Sequence, residues 1–142
     1  MTSTARLRLI WHGAIVLLVG LLVGLPTVVE ASTESMRVWH TAHEALIMMG
    51  IWMLAASSAV PVLVLGQREA RALMWAYLAM GYGFMIALLI GGVMGISPFE
   101  PGKTPVAFIA FLASVIGILG AVMATALTLM GARAALKRPQ GE

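Results

Sequence analysis

The sequence predicts an all-α protein, a bundle of four transmembrane helices. Apolar residues make up 61% of the 142 residues and charged residues only 11%, whereas soluble domains carry about 25% charged residues. Four separate stretches are long enough to cross a bilayer, which takes about 20 apolar residues each. Because backbone groups in lipid must find hydrogen-bond partners within their own segment, we interpret these stretches as helices.

The predicted spans form a single transmembrane domain over residues 1–142. They lie at about 9–29, 42–65, 72–96 and 106–131. A cleaved secretory signal is the competing interpretation of the first span. Its apolar run is longer than the about 7–15 residues usual for such signals, which favours a retained helix.

The distribution of basic residues predicts the orientation of the bundle. One side of the membrane receives Arg6, Arg8, Arg68, Arg71, Arg133, Lys137 and Arg138. The other side receives only Arg37 and Lys103. By the positive-inside rule both termini are cytoplasmic, and the loops 30–41 and 97–105 face outward. We therefore attribute the net charge of +3 to membrane topology and expect no nucleic-acid partner.

Small residues at four-residue spacing predict close contacts between helices. Gly20 and Gly24 form a GxxxG pair on the first span, and Gly91 and Gly95 form another on the third. The fourth span carries Ala113, Gly117, Ala121 and Thr125. Small side chains let helix backbones approach each other in lipid. We expect most of these faces to pack within the bundle and some to serve an oligomer.

Proline and tryptophan positions give further expectations about the spans. Pro26 and Pro61 should kink their helices, because proline removes a backbone hydrogen bond. The tryptophans near span ends are typical of membrane-interface anchors. These are Trp11, Trp39 and Trp75. Trp52 lies deeper and is expected in the core or in the lining of a pocket.

The segment VWHTAHEALIMMG (Val38–Gly50) places two of the three histidines at the edge of a span. His40 and His43 share one helix face, but a zinc site needs a third ligand, and Glu44 points about 100° away from His43. The chain has no cysteine to supply one. A single imidazole among apolar side chains also suits haem. The spacing alone leaves haem ligation, zinc ligation and a structural role open.

His12 lies near the opposite end of the bundle, one turn inside the first predicted span. Its expected role is a hydrogen bond to a neighbouring helix or an approach to the membrane interface.

Three segments carry a resemblance to a known family. The first is WHGAIVLLVGLLVGL (Trp11–Leu25), in which a His-Gly pair opens a glycine-leucine span. The second is TAHEALIMMGIWMLAASSAVPVLVLG (Thr41–Gly66), with Ala-His at its start and a proline near its end. The third is REARALMWAYLAMG (Arg68–Gly81). In these motifs and in span order the chain resembles the styrene oxide isomerase family, small four-span bacterial membrane proteins that bind haem b.

The resemblance implies a homotrimer with haem b between adjacent subunits, located in the bacterial inner (cytoplasmic) membrane. The position of His43 matches the family's axial ligand to the iron. Ferric haem would act as a Lewis acid on an epoxide oxygen. Ring opening and a hydride shift would then give an aldehyde with no net redox change.

The chain differs from the family at three polar positions. Met49 stands where the family has an asparagine, six residues after the ligand histidine. Met80 and Leu88 stand at about the places of an aspartate and a tyrosine, and the chain contains no aspartate. Substrate positioning must therefore differ here. The nearby polar candidates are Tyr82, Tyr77 and Glu44.

These observations predict a haem b protein with His43 as the iron ligand. The residues expected to line the cofactor pocket are Met49, Trp52, Met80 and Tyr82. The expected activity is isomerisation of a hydrophobic epoxide, in a protein surrounded by membrane lipids. The first alternative is a non-enzymatic haem protein, either an electron carrier or a haem or gas sensor, in which Met48 or Met49 supplies a second axial ligand. The second is an accessory subunit of a membrane complex.

Overall fold

The computed structural model describes residues 3–25 and 33–138, and within them the chain forms four long helices and no strand. The helices are α1 (Ser3–Val23), α2 (Thr33–Ala59), α3 (Gln67–Met94) and α4 (Pro105–Leu136). A short 3-10 turn, Val60–Val62, follows α2. All four helices are long and apolar enough to cross a membrane. The predicted all-α class with four spans is therefore confirmed, and the protein is a multi-pass membrane protein.

The helices begin or end at other residues than the predicted spans. α2 begins at Thr33 instead of 42, so most of the predicted outer loop 30–41 is helical. No glycine or proline interrupts residues 33–41, and hydropathy alone does not mark where such a polar helical turn begins. α1 ends at Val23 instead of 29. Residues 26–32, including Pro26, lie outside the described residues.

The connection between α2 and α3 lies earlier in the chain than predicted, at residues 60–66 instead of 66–71. The α-helix stops at Ala59, so Pro61 ends α2 and the predicted kink is wrong. Gln67–Arg71, predicted as a turn, is the first turn of α3. Glu69 determines where α3 begins, because its Oε2 accepts a hydrogen bond from the Gly66 N–H at 2.7 Å. A glutamate three residues after the N-cap is a common means of satisfying that donor.

The bundle contains two closely packed helix pairs, α1 with α2 and α3 with α4. A Cβ added to Gly20 would lie 2.8 Å from the Ile47 backbone nitrogen. A Cβ on Gly83 would lie 2.6 Å from the Gly117 backbone nitrogen. Only glycine allows such distances between backbones. The predicted small-residue faces on the first and fourth spans therefore pack within the chain, although Thr125 is exposed.

The core lies between the two pairs and consists of fully buried apolar side chains. Its largest members are Leu9, Val16, Leu46, Met53, Leu73 and Met80. The outer surface is apolar as well, and α4 exposes Leu119, Val122 and Leu129. An apolar exterior suits a bundle surrounded by lipid tails, because the tails solvate these side chains as well as the core does.

The basic residues gather at one end of the bundle. The Val64 N–H donates a hydrogen bond to the Gly131 carbonyl at 3.2 Å, which brings the α2–α3 connection beside the C-terminal part of α4. Thr4 of α1 and Leu65 line the same cleft. This end therefore carries the start of α1 and the end of α4. That it faces the cytoplasm stays a prediction from the positive-inside rule.

We predict that Gly50→Ala separates α1 from α2. The added Cβ would lie 2.7 Å from the Leu17 Cα and backbone nitrogen, so the helices must move apart. Overpacking of this kind costs about 1–3 kcal/mol. The free energy of unfolding, measured by SDS titration in mixed micelles, should fall by that amount. The control Ala55→Val adds volume on an exposed position of the same helix and should change stability by less than about 0.5 kcal/mol. Equal losses would contradict the close α1–α2 contact.

Candidate functional site

His43 lies at the contact between α1 and α2, and its Nδ1 is 2.8 Å from the carbonyl oxygen of Gly20. A carbonyl oxygen only accepts hydrogen bonds, so Nδ1 must carry the hydrogen. In the neutral ring the lone pair is then on Nε2. This bond from one ring nitrogen to a backbone carbonyl is the arrangement that orients metal-ligating histidines in proteins.

The GxxxG pair on α1 provides the place that the His43 ring occupies. Gly20 allows the α2 backbone to approach, as its close contact with Ile47 shows. Gly24 leaves room for the ring itself, because a Cβ there would lie 2.7 Å from both Cε1 and Nδ1 of His43. The pair was predicted as a helix contact, and its second glycine has the further effect of admitting the imidazole.

His40 is set apart from His43. Its Nδ1 lies 3.5 Å from Glu44 Oε1, and the two side chains are 60% and 65% exposed. Glu44 therefore pairs with His40 and does not orient His43. Within the described residues no three His, Cys, Asp or Glu side chains come close enough to hold a metal ion. A zinc site on His40 and His43 would lack a third ligand from this part of the chain.

The structure places three of the predicted pocket residues in different environments. Met49 is partly buried and packs against the core. Met80 is 2% exposed and enclosed by the helices. Trp52 is 50% exposed, so it lies on the outer surface of α2 and not in the core. None of these three residues lines either of the two clefts described below.

Tyr82, the fourth predicted pocket residue, lies far from His43. Its hydroxyl is 2.8 Å from His12 Nδ1, and the two rings make an edge-on contact with centroids 5.6 Å apart. His12 and Gly20 are separated by about 12 Å along α1 at 1.5 Å per residue. The expected role of His12, a hydrogen bond to a neighbouring helix, is therefore confirmed, and Tyr82 is its partner.

Tyr77 has a separate position between α3 and α4. It is 3% exposed, and its hydroxyl lies 3.3 Å from Thr128 Oγ1. Thr128 donates its own hydrogen to the Ala124 carbonyl at 2.7 Å. The Tyr77 hydroxyl is therefore the donor to Thr128, and it is not available to a substrate.

A cleft of about 1310 Å³ opens between the N-terminal halves of α1 and α3. Its lining includes Arg8, His12, Arg71, Trp75, Leu78 and Tyr82. A smaller cleft of about 380 Å³ lies at the α3–α4 loop, beside Ile96 and Lys103. Neither cleft includes His43. The larger cleft was not predicted from the sequence, although Arg8 with His12 and Arg71 with Trp75 each have the four-residue spacing of a helix face.

The chain matches the styrene oxide isomerase family over residues 5–133. It belongs to this family. The matched range includes all of α2 and α3, and it lacks only the first two residues of α1 and the last three of α4. The family relation therefore covers the whole bundle. Comparisons with curated proteins and with solved structures give no match. In this isomerase-family chain the three positions expected to differ are all apolar, and two of them, Met80 and Leu88, are buried at 2% and 3% exposure.

Removal of the Tyr82 hydroxyl should destabilise the bundle. We predict that Tyr82→Phe costs about 0.5–1.5 kcal/mol, because His12 then loses a short hydrogen bond between α1 and α3. Tyr77→Phe is the matched comparison and should cost less, since its hydrogen bond is longer. SDS titration of both variants measures the difference. A larger loss for Tyr77→Phe would contradict the assigned contacts.

Proposed function

We propose that this family member binds haem b through His43 Nε2 and isomerises a hydrophobic epoxide to a carbonyl compound. The observation that carries the proposal is the hydrogen bond from His43 Nδ1 to the Gly20 carbonyl, at 2.8 Å. It leaves the other ring nitrogen with a lone pair for the iron and fixes the ring plane. Membership of the family supports the same assignment.

The surface around His43 fits a porphyrin better than it fits a metal ion alone. Beside His43, Leu21 of α1 and Leu25 just after this helix are exposed, and Ile51 is exposed two turns further along α2, about 80° round the helix from His43. Apolar and aromatic side chains are the usual contacts of a porphyrin ring. A bare metal ion would need further ligands, and the described residues offer no such cluster.

The position of His43 on the outside of the bundle supports a shared site. The imidazole is half-buried, and neither cleft includes it, so one chain covers one side of a bound porphyrin. We propose that a second copy covers the other side in a homotrimer. Trp52, nine residues after His43, lies about 180° round α2 from it, so it does not face the ring. Met80 and Tyr82 of the same chain do not lie on this surface, and Met49 lies behind it.

Ferric haem, when bound, supplies a Lewis acid for the epoxide oxygen. The chain's own residues orient the ligand and shape the surroundings. His43 is held by the Gly20 carbonyl, and apolar side chains keep out the water that would open the epoxide to a diol. Since the exposed side chains beside His43, Leu21 and Leu25, are apolar, the substrate is held by apolar contact. The proposed substrate is therefore a hydrophobic epoxide without groups that require hydrogen bonds.

We predict that His43→Ala abolishes haem retention and that His40→Ala does not. The two histidines lie one turn apart on α2, but only His43 has its ring fixed by a backbone carbonyl, whereas His40 is exposed and pairs with Glu44. The measurement is the Soret absorbance per mole of purified protein expressed with added haem. Equal loss in both variants would contradict the ligand assignment.

The ferric spectrum and an assay of styrene oxide conversion separate the three functions. A five-coordinate or water-ligated spectrum together with aldehyde formation supports the isomerase. A six-coordinate low-spin spectrum without conversion supports the electron carrier, because no coordination position is then open. A protein without any Soret band, despite added haem, fits an accessory subunit.

A second prediction tests the orienting hydrogen bond without removing the ligand. Gly24→Ala places a Cβ 2.7 Å from His43 Cε1 and Nδ1, so the ring must shift away from Gly20. Loss of such an outer-sphere partner lowers metal affinity by about 10–100-fold. Haem titration of the apoprotein should show a loss in this range. The control is Gly13→Ala, where the added Cβ meets Met53 Cβ at 3.0 Å, far from His43. An unchanged affinity in Gly24→Ala would refute the role of the Gly20 contact.

A further inference from the structure

The cleft between α1 and α3 has a closed inner end and an open outer end. Its lining on α1 consists of Thr4, Ala5, Arg8 and His12, and on α3 it runs from Gln67 to Tyr82. Every lining residue on either helix therefore lies at or before the His12–Tyr82 hydrogen bond. At this bond the helices come close together, and a Cβ on Gly81, beside Tyr82, would lie 3.3 Å from Val16 Cγ2. The two helices diverge from that point towards the basic end of the bundle.

The mouth of the cleft is positively charged. Arg8 and Arg71 both line it, and both are exposed. No acidic residue contributes to the lining. In the described part of the chain neither guanidinium makes an ion pair. Two guanidinium groups facing one cleft favour an anion between them, and the planar guanidinium matches the oxygens of a phosphate in a bidentate manner.

The walls of the cleft are apolar below this charged mouth. Met74, Leu78 and Trp75 of α3 and Leu65 of the preceding connection all contribute to the lining. Trp75 is 65% exposed, which is typical of a tryptophan at the level of lipid headgroups. A free phosphate ion would make no favourable contact with these apolar walls. The combination of two arginines with an apolar interior selects an anionic amphiphile.

We propose that this cleft binds an anionic phospholipid, with its phosphate between Arg8 and Arg71 and an acyl chain along Met74 and Leu78. The volume of about 1310 Å³ exceeds the about 300–1,000 Å³ of sites for small drug-like ligands. Basic pockets between transmembrane helices bind the headgroups of anionic lipids in this way. The His12–Tyr82 pair limits how deep the acyl chain reaches between the helices.

The lipid site is separate from the proposed haem site. His43 contacts α1 at Gly20 and Gly24, whereas the cleft ends at His12. These positions lie about 12 Å or more apart along the helix axis. A variant in the cleft should therefore change lipid binding and leave the His43 ligand in place.

The test is native mass spectrometry of the purified full chain in neutral detergent, titrated with phosphatidylglycerol or phosphatidylcholine of the same acyl chains. The wild-type chain should retain phosphatidylglycerol preferentially. Arg8→Gln and Arg71→Gln should each weaken that binding about fivefold, which corresponds to about 1 kcal/mol per arginine near a headgroup. The matched control is Arg68→Gln, because Arg68 is exposed on the same turn as Arg71 but does not line the cleft.

A variant without a charge change tests the apolar part of the site. Ala79 lines the cleft, and Ala79→Phe should fill it and lower phosphatidylglycerol binding while the far-ultraviolet circular dichroism of the helices is unchanged. An unfolded protein would lose both signals. Unchanged lipid binding in a folded Ala79→Phe protein would overturn the assignment of the acyl chain to this cleft.

Four other results would overturn the proposal. Equal retention of the two lipids would remove the role of the phosphate charge. An equal effect of Arg68→Gln would indicate general surface charge instead of a site. Competition by inorganic phosphate alone at the affinity of the lipid would show an anion site with no lipid component. Loss of the Soret band in His12→Ala but not in His43→Ala would show that the cleft holds the porphyrin.

Discussion

The site depends on the close approach of α1 and α2 at Gly20 and Gly24. In lipid there is little hydrophobic force between helices, so contact relies on van der Waals packing and on hydrogen bonds between helices. Gly20 contributes both, because its missing side chain admits the α2 backbone and its carbonyl accepts from His43 Nδ1. One contact thus holds two helices together and determines which nitrogen of His43 has a free lone pair.

Two further polar contacts connect the remaining helices. His12 with Tyr82 connects α1 to α3, and Tyr77 with Thr128 connects α3 to α4. With the His43 bond these contacts connect the helices in the order α2, α1, α3, α4. In the described residues no buried side-chain nitrogen or oxygen is without a hydrogen-bond partner. An apolar chain has few polar side chains, and the described ones between helices serve to fix neighbours.

The fold class could be predicted because lipid leaves the backbone few choices. Long apolar stretches must form helices there, and the sequence has four of them. The first residues of the helices were harder to predict. α2 begins among polar residues at Thr33, and α3 begins at a cap formed by Glu69, several residues before the start that hydropathy predicts. Hydropathy indicates which residues lie in lipid. The ends of a helix depend on local hydrogen bonds, which hydropathy does not indicate.

The contacts between helices were the least predictable part of the site. The GxxxG spacing of Gly20 and Gly24 indicates a contact but does not name the opposite helix. His12 and Tyr82 are 70 residues apart in the chain, and no local pattern connects them. The larger cleft forms where α1 and α3 are not in contact. A residue pattern within one helix does not show where two helices separate. The glycines of α1 pack within the chain, so these small-residue pairs give no separate support for an oligomer.

The partner that orients His43 belongs to the main chain, and this changes what selection can act on. A point mutation removes a carboxylate or an amide side chain, but it leaves the carbonyl of residue 20 in place. The contact therefore requires that residues 20 and 24 of α1 have no bulky side chain, and it requires no particular functional group there. A histidine held in this manner stays aligned whatever side chains the neighbouring positions carry, provided that residues 20 and 24 stay small.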